Sequence, residues 1–299
     1  MNGSPTSPRS VLLIANPISG GGRGRVLAPR LAAALQALDV RTEVHLTTAA
    51  GDATARAKTA GQEPFDALVA LGGDGTVNEV LNGMPDVTRP LGVLPVGTAN
   101  VLALELKLPK KIEAAAAVIA AGHVRELAIG RCQDRRFLLF CGVGVDGAVV
   151  QRLHQVRTGT LGKHKWLGPI LHTVRHWPSF SLQATFANGE VIAGCSSILV
   201  TRVRNYGGVV MLPKDVDIDS GRLHVLCFRQ RSRLAWIGQG LRGLVHRMRA
   251  DGNNLVLRTV DSVTIGGDAP FQIDGDFGGV GPVTIDLLPQ RARLLAPLR

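Results

Sequence analysis

The sequence predicts two halves: an α/β amino-terminal half with a parallel sheet covered by helices on both faces, and a mainly antiparallel, β-sandwich-like carboxy-terminal half. Three observations predict it. Up to residue 121, short apolar runs alternate with helix-period segments, the pattern of a parallel sheet buried on both sides. After Gly122 the texture turns to short strands joined by turn residues, the pattern of antiparallel pairing. Glycine-rich turns also recur where strands of the first half give way to helices. The boundary is expected near residue 125, with residues 1–10 a polar, disordered tail.

Residues 11–15 form the first strand, apolar throughout. It ends in Asn16-Pro17-Ile18-Ser19-Gly20-Gly21-Gly22-Arg23-Gly24-Arg25, ahead of a helix over 26–38. No Gly-Lys-Ser/Thr closes this turn, so it is not a Walker A loop. Asn16, Ser19, Gly20 and Gly21 can still offer main-chain and side-chain groups to a phosphate, and Arg23 and Arg25 add charge. Residues 41–46 alternate as a second strand with Thr47 and Thr48 at its end, and Gly51-Asp52 opens a helix over 53–60.

Residues 67–70 read as a third, buried strand. The central turn follows it: Gly72-Gly73-Asp74-Gly75-Thr76-Val77-Asn78-Glu79-Val80-Leu81-Asn82-Gly83. Val77, Val80, Leu81 and Met84 are spaced for one helical face. Glycines let the backbone approach a ligand, and the helix N-terminus behind them offers N–H groups and a positive dipole end. Together they predict a phosphate cradle. A carboxylate there, Asp74, calls for a cation between itself and the phosphates, which points to a nucleotide carrying Mg²⁺. Taken alone, the turn reads equally well as a strand–helix connection with Asp74 as N-cap. A fourth strand, 91–94, ends in Pro95-Val96-Gly97-Thr98-Ala99-Asn100, followed by a helix to residue 106 and an alanine-rich helix over 112–121. Ligands of parallel sheets bind at the carboxyl ends of the strands, where all four polar turns fall.

In the second half, strands are expected at 126–130, 137–141, 180–186, 191–201, 223–228, 255–260, 262–265, 271–273 and 283–288. Ala187-Asn188-Gly189-Glu190 is a hairpin signal. Gly142-Val143-Gly144-Val145-Asp146-Gly147 has dinucleotide spacing, but the acidic residue expected about 20 positions on is missing, so a tight strand–helix turn is the better reading.

Composition narrows the partners. A formal net charge of +11 suggests an anionic one, while 4% aromatic residues with a single tyrosine argue against nucleic acid. Cys132, Cys141, Cys195 and Cys227 are too scattered for a zinc site or a disulfide framework. Neither a signal peptide nor a transmembrane helix is expected, and the location read from this is cytoplasmic. Residues 147–189 carry Arg152, Arg157, Lys163, Lys165 and Arg175 without an acid, and residues 220–250 carry seven arginines without an acid. Expected helices over 163–177 and 233–248 hold Trp166, Trp177 and Trp236. As a pair they suggest a surface for anionic lipid headgroups, although either helix alone reads as an ordinary amphipathic one.

These motifs resemble the diacylglycerol-kinase catalytic family, and more narrowly its soluble bacterial branch, which is similar to sphingosine and ceramide kinases. The resemblance is carried by Asn16-Pro17-x-Ser19-Gly20, Thr47 with Gly51-Asp52, the run from Gly72 to Glu79, Gly97-Thr98-Ala99-Asn100, Gly142 to Asp146, and Asp274-Gly275-Asp276. The Gly-Gly-Asp-Gly-Thr core is shared with NAD kinases; Asn78 to Gly83 is more particular to the lipid kinases. The resemblance implies a nucleotide-binding α/β domain over 11–125, a β-rich lipid-binding domain over 126–290, and ATP in the cleft between them. It also implies that residues 291–299 return to the first domain. The activity implied is an ATP-dependent, Mg²⁺-requiring lipid kinase acting on a hydroxyl of a diacylglycerol-like or sphingoid/ceramide-like lipid.

The roles implied are phosphate binding by Ser19, Gly20, Gly21, Gly72, Gly73, Gly75 and Thr76, nucleotide contacts from Asn16, Thr47, Asn78 and Thr98, and a Mg²⁺ contact from Asp74. Asp276 is the implied general base, with Asp274 able to share the proton. Two departures stand out. The family usually has Glu at the position of Asp276, and aspartate is about 1.5 Å shorter. It also often has an acid just before Gly221 that ligates a structural Mg²⁺; Ser220 stands there, leaving Asp217 and Asp219 as candidate ligands. Expected partners are a lipid substrate and, transiently and peripherally, an anionic membrane surface; no nucleic acid is expected, and a homodimer stays open. The competing readings are an NAD-kinase-like small-molecule kinase and a nucleotide-binding, membrane-associated pseudokinase.

Overall fold

The computed structural model describes residues 7–156, 166–230 and 232–298. The chain forms two compact units, Met1–Ala128 with Pro289–Arg299, and Ile129–Leu288.

The first unit is α/β. Strands β1 (Ser10–Ala15), β2 (Arg41–Leu46), β3 (Ala67–Gly72) and β4 (Leu91–Pro95) are parallel, in the order β2-β1-β3-β4. Every residue of β1, β3 and β4 is buried, whereas β2 is the half-exposed edge, and this matches their apolar and alternating sequences. The last strand, β18 (Val283–Leu295), joins this sheet in parallel through Leu294 opposite Leu91. Val11, Leu13, Ala15, Ala67, Val69 and Leu71 share one core with Ala28, Leu31 and Leu35 of α1 (Ser19–Gln36) and Ala115, Ala116 and Ile119 of α5 (Ile112–Ala121). Helices α2 (Asp52–Thr59) and α3 (Asp74–Gly83) pack together, and α4 (Val101–Glu105) is a single short turn. The tail expectation needs correction at its end: β1 begins at Ser10, and Asp66 accepts hydrogen bonds from the amides of Arg9 and Ser10 at 2.8 Å each. Residues 1–6 lie outside the described residues.

The second unit is a two-layer β structure. A six-stranded antiparallel sheet runs β14 (Leu255–Val260), β13 (Leu223–Phe228), β10 (Ser197–Thr201), β7 (Phe140–Gly144), β16 (Pro270–Ile273), β17 (Asp276–Val280). Opposite it lie β15 (Ser262–Gly266), β8 (Leu182–Phe186), β9 (Val191–Cys195) and the first part of β18, with β5 (Val124–Cys132) and β6 (Arg135–Phe137) alongside. Phe137, Val143, Leu182, Phe186, Ile198, Val225, Phe271 and Ile285 fill one core between the layers. Residues 191–201, expected as one strand, are two: Ser196 bonds Phe228 O through both its amide (2.8 Å) and its hydroxyl (3.2 Å), and the chain changes sheets there. The 187–190 turn does join β8 and β9, with Gly189 at φ 84°. The Gly142–Gly147 segment is a strand–helix turn: β7 passes directly into α6 (Val145–Val156). Helices α7 (Leu167–Arg175) and α8 (Arg233–Leu244) and the small hairpin β11 (Asn205–Tyr206) and β12 (Val210–Met211) complete the unit. The expected helix start at residue 163 lies outside the described residues.

Candidate active site

In the first unit three turns meet at the carboxyl ends of the adjacent strands β1, β3 and β4. The first turn coils left-handed through Gly20, Gly21 and Gly22, with φ of 62°, 73° and 91°, before α1 becomes regular. Three such residues in succession are possible only for glycine. Gly20 lies so close to Val96 that any Cβ would run into its carbonyl oxygen. Arg23 locks the contact, donating to Gly20 O at 3.1 Å and Val96 O at 3.4 Å. Between the other two turns, a Cβ on Gly73 would stand 3.3 Å from Gly97 Cα, and the amides of Val96 and Gly97 both donate to Gly72 O. Gly72 itself covers the side chain of Thr76.

Asp74 is the first residue of α3. Its carboxylate accepts the amides of Val101 at 3.0 Å and Leu102 at 3.2 Å, and so caps α4. Burial pushes its carboxyl above the usual range, and these amides pull it back. Both oxygens therefore serve α4, and each carries a further lone pair. Asn78 is buried in α3 with its carboxamide oxygen held by Asn82 at 3.1 Å. Asn16 accepts the amide of Ile18 at 3.1 Å, Thr47 sits half-buried after β2, and Thr98 is exposed. Asn100 was not singled out in the sequence. It has left-handed backbone (φ 49°), donates to Gly97 O at 2.7 Å, and keeps its buried Oδ1 without a protein partner. It lines the recess formed with Gly72, Gly73 and Asp74.

In the second unit, Asp274-Gly275 is the two-residue turn between β16 and β17, with φ of 48° and 89° at its two positions and Ile273 paired with Asp276. Asp-Gly suits such a turn because both central residues need positive φ. The carboxylate of Asp274 is buried and accepts three amides, Leu138 (3.2 Å), Leu139 (3.1 Å) and Phe140 (2.9 Å). It ties the 138–140 segment to the turn. Asp276 is the accessible carboxylate of the pair, with its side chain 45% exposed and 3.7 Å from the guanidinium of Arg135.

Asp217 and Asp219 lie in the turn that precedes Gly221. Asp217 accepts the amide of Asp219 at 3.0 Å, and among the described residues no three His, Cys, Asp or Glu side chains gather to hold an ion. The fully buried guanidinium of Arg202 donates to the carbonyls of Ile218 (2.8 Å) and Arg222 in the same turn. His224 completes the turn: Ser220 Oγ is 3.0 Å from its Nε2, and burial holds the imidazole below its ordinary value of 6.5.

Comparison with known proteins places these features. Residues 10–132 match the family model of the diacylglycerol kinase catalytic domain. The chain is 28% identical to the diacylglycerol kinase of Staphylococcus carnosus (strain TM300), over 95% of this chain and 94% of that one. It is also 28% identical to the diacylglycerol kinase of Staphylococcus aureus (strain bovine RF122 / ET3-1), over 95% and 91%. A solved structure from Bacillus anthracis str. Sterne, assigned provisionally to the diacylglycerol kinases, superposes with a TM-score of 0.81 and 25% identity, covering 99% of this chain and 98% of that one. Residues 10–132 therefore match the catalytic domain of the diacylglycerol kinases, and nearly the whole chain shares the fold of that Bacillus anthracis protein.

Proposed function

We propose that this chain is an ATP-dependent lipid kinase that moves the γ-phosphoryl group of MgATP to the hydroxyl of a diacylglycerol-like or sphingoid/ceramide-like lipid. The observation that carries this reading is the backbone-to-backbone packing of Gly20 on Val96 and Gly73 on Gly97. It lines up three turns at the sheet edge where parallel folds receive phosphates. In this reading the amides of Ser19 to Gly21, Gly72, Gly73 and Gly75 receive the phosphates. Thr47, Thr76 and Thr98 supply hydroxyls, and Asn16 and Asn78 hold the turns that carry these groups. Asn100 Oδ1 takes a donor of the nucleotide. Mg²⁺ arrives with ATP and keeps several waters, so Asp74, committed to α4, meets it through water. Asp276 removes the proton of the acceptor hydroxyl.

The lipid also needs a way in from a bilayer, and α7 and α8 support a membrane-facing role. Their apolar residues point the wrong way for a core. The buried positions of α8 are Gln239 and Gly243, while Leu234, Leu241 and Leu244 are exposed. On α7, Pro169 and Thr173 are buried, while Leu167 and Leu171 are exposed. Trp177 and Trp236 meet edge to face at 5.8 Å, and Arg175, Arg233 and Arg242 supply positive charge. Exposed leucines with tryptophan and arginine suit an anionic bilayer. Among the described residues no helix is long and apolar enough to cross one.

The test is incubation with labelled ATP, Mg²⁺ and vesicles carrying diacylglycerol, a sphingoid base or ceramide. Label in the lipid phase is expected, with binding to anionic vesicles stronger than to neutral ones. Label in NAD⁺ would overturn the reading in favour of an NAD-kinase-like enzyme. Nucleotide binding with no acceptor labelled would identify a pseudokinase.

A further inference from the structure

A hydrogen-bonded chain in the second unit, passing through the fully buried Gln272, ends at the turn that carries Asp276. It begins at Tyr206, the only tyrosine of the sequence, whose hydroxyl donates to Asp146 Oδ1. The other oxygen of Asp146, Oδ2, accepts Gln272 Nε2 at 2.8 Å. Gln272 then uses its remaining group, Oε1, to accept the amide of Gly275 at 2.8 Å. That amide can only donate, so Oε1 must face it and Nε2 must face Asp146. From Gly275 through Gln272 each group donates toward Asp146, and Tyr206 donates into Asp146 from the other side. Space for it is made by Gly142, opposite Gln272 in the β7–β16 pairing; a Cβ there would overrun Asp146 Oδ2 and lie 3.0 Å from Gln272 Nε2. The ring of Tyr206 is held against Phe140, with centroids 4.9 Å apart.

We propose that Asp146 is a positioning residue for phosphoryl transfer: through Gln272 it sets the conformation of the Asp274-Gly275 turn and hence the place of Asp276. The inference rests on the reading of Asp276 as the base. Two features argue for more than packing. Burying a polar side chain is costly, and the position of Gln272, fully buried among apolar strands, would be simpler to fill with an apolar residue. Asp276 also has a short side chain, so its reach depends on where the backbone of the turn lies.

The test exploits the polarity of the chain. Gln272→Glu places a second carboxylate against Asp146 and breaks the link. Adding Asp146→Asn restores it with the donor on the other side: the carboxamide now at position 146 can donate to the carboxylate now at position 272, which still accepts from Gly275. Gln272→Glu is expected to lower kcat about tenfold or more, within the ~10²-fold that a ~1 Å misplacement costs, with KM for MgATP unchanged. Amide exchange at Gly275 should rise in parallel. The double variant should recover both. A single variant with unchanged kcat, or a folded double variant as slow as the single, overturns the proposal. If the single variant does not fold, the double decides by itself: it must fold and turn over near the wild-type rate. Wild-type protein that labels no lipid would remove the lipid-kinase reading alone, because exchange at Gly275 still reports whether Asp146 governs the turn.

Discussion

The carboxylate of Asp74, the first residue of α3, holds the amide of Val101, the first residue of α4, at 3.0 Å. The acid at the centre of the glycine-rich motif is thus a joint between two loops, fixing the turn after β4 against the turn after β3. Asp74→Ala would leave the buried amides of Val101 and Leu102 unpaired, a loss of about 1–3 kcal/mol. The expected outcome is a lower melting temperature together with lost nucleotide binding, read by thermal unfolding and by titration with MgATP. Asp74→Ala with wild-type stability would show that α4 does not depend on this cap.

Gly97 and Gly21 separate crowding from backbone strain. Gly97→Ala drives a Cβ into the backbone of Gly73, and overpacking of this kind costs about 1–3 kcal/mol. Gly21→Ala meets nothing within 4 Å but must hold φ near 73°, at about 1–2 kcal/mol. Both should weaken nucleotide binding, and Gly97→Ala should also shift α4. Chemical denaturation with nucleotide titration checks this; equal binding to wild type in both variants would remove these turns from the site.

Asp276→Ala should abolish transfer while leaving the fold intact. Its ion pair with Arg135 is long and exposed, and such pairs contribute little to stability. Asp276→Glu should keep or raise turnover, because it supplies the longer carboxylate. Initial rates and circular dichroism on both variants test the assignment, and transfer by Asp276→Ala at a near-normal rate would refute it.

His224 predicts a pH dependence. Its folded-state value is depressed by burial below 6.5, so below that pH the unfolded chain binds the extra proton and the folded chain does not. Stability then rises with pH through this window and falls on acidification. The melting temperature should drop as pH falls below 6.5, and less steeply in His224→Gln; parallel slopes in the two proteins would exclude His224 as the cause.

Much of the first unit was legible because its signals are local. An apolar strand, a glycine-rich turn and a helical face follow one another within about twenty residues, and the strand–helix repeat then dictates a parallel sheet. The second unit was less legible. The run 191–201 is continuous in sequence, and only the carbonyl of Phe228 reveals the break at Ser196. Whether the α8 leucines face the core or the outside was left open by the helix alone, and their exposure shows that they face outward.

The sequence by itself determined the parallel strands of the first unit, the glycine turns and the Asp-Gly hairpin, since each is set by the conformational preferences of neighbouring residues. Tertiary structure alone decided what the carboxylates do. Asp74 found amides 27 and 28 residues away, Asp274 found three at separations of 134 to 136, and Asp146 found Gln272 at 126. A carboxylate's role follows from the donors that surround it, and folding brings those donors from parts of the chain that no local pattern connects.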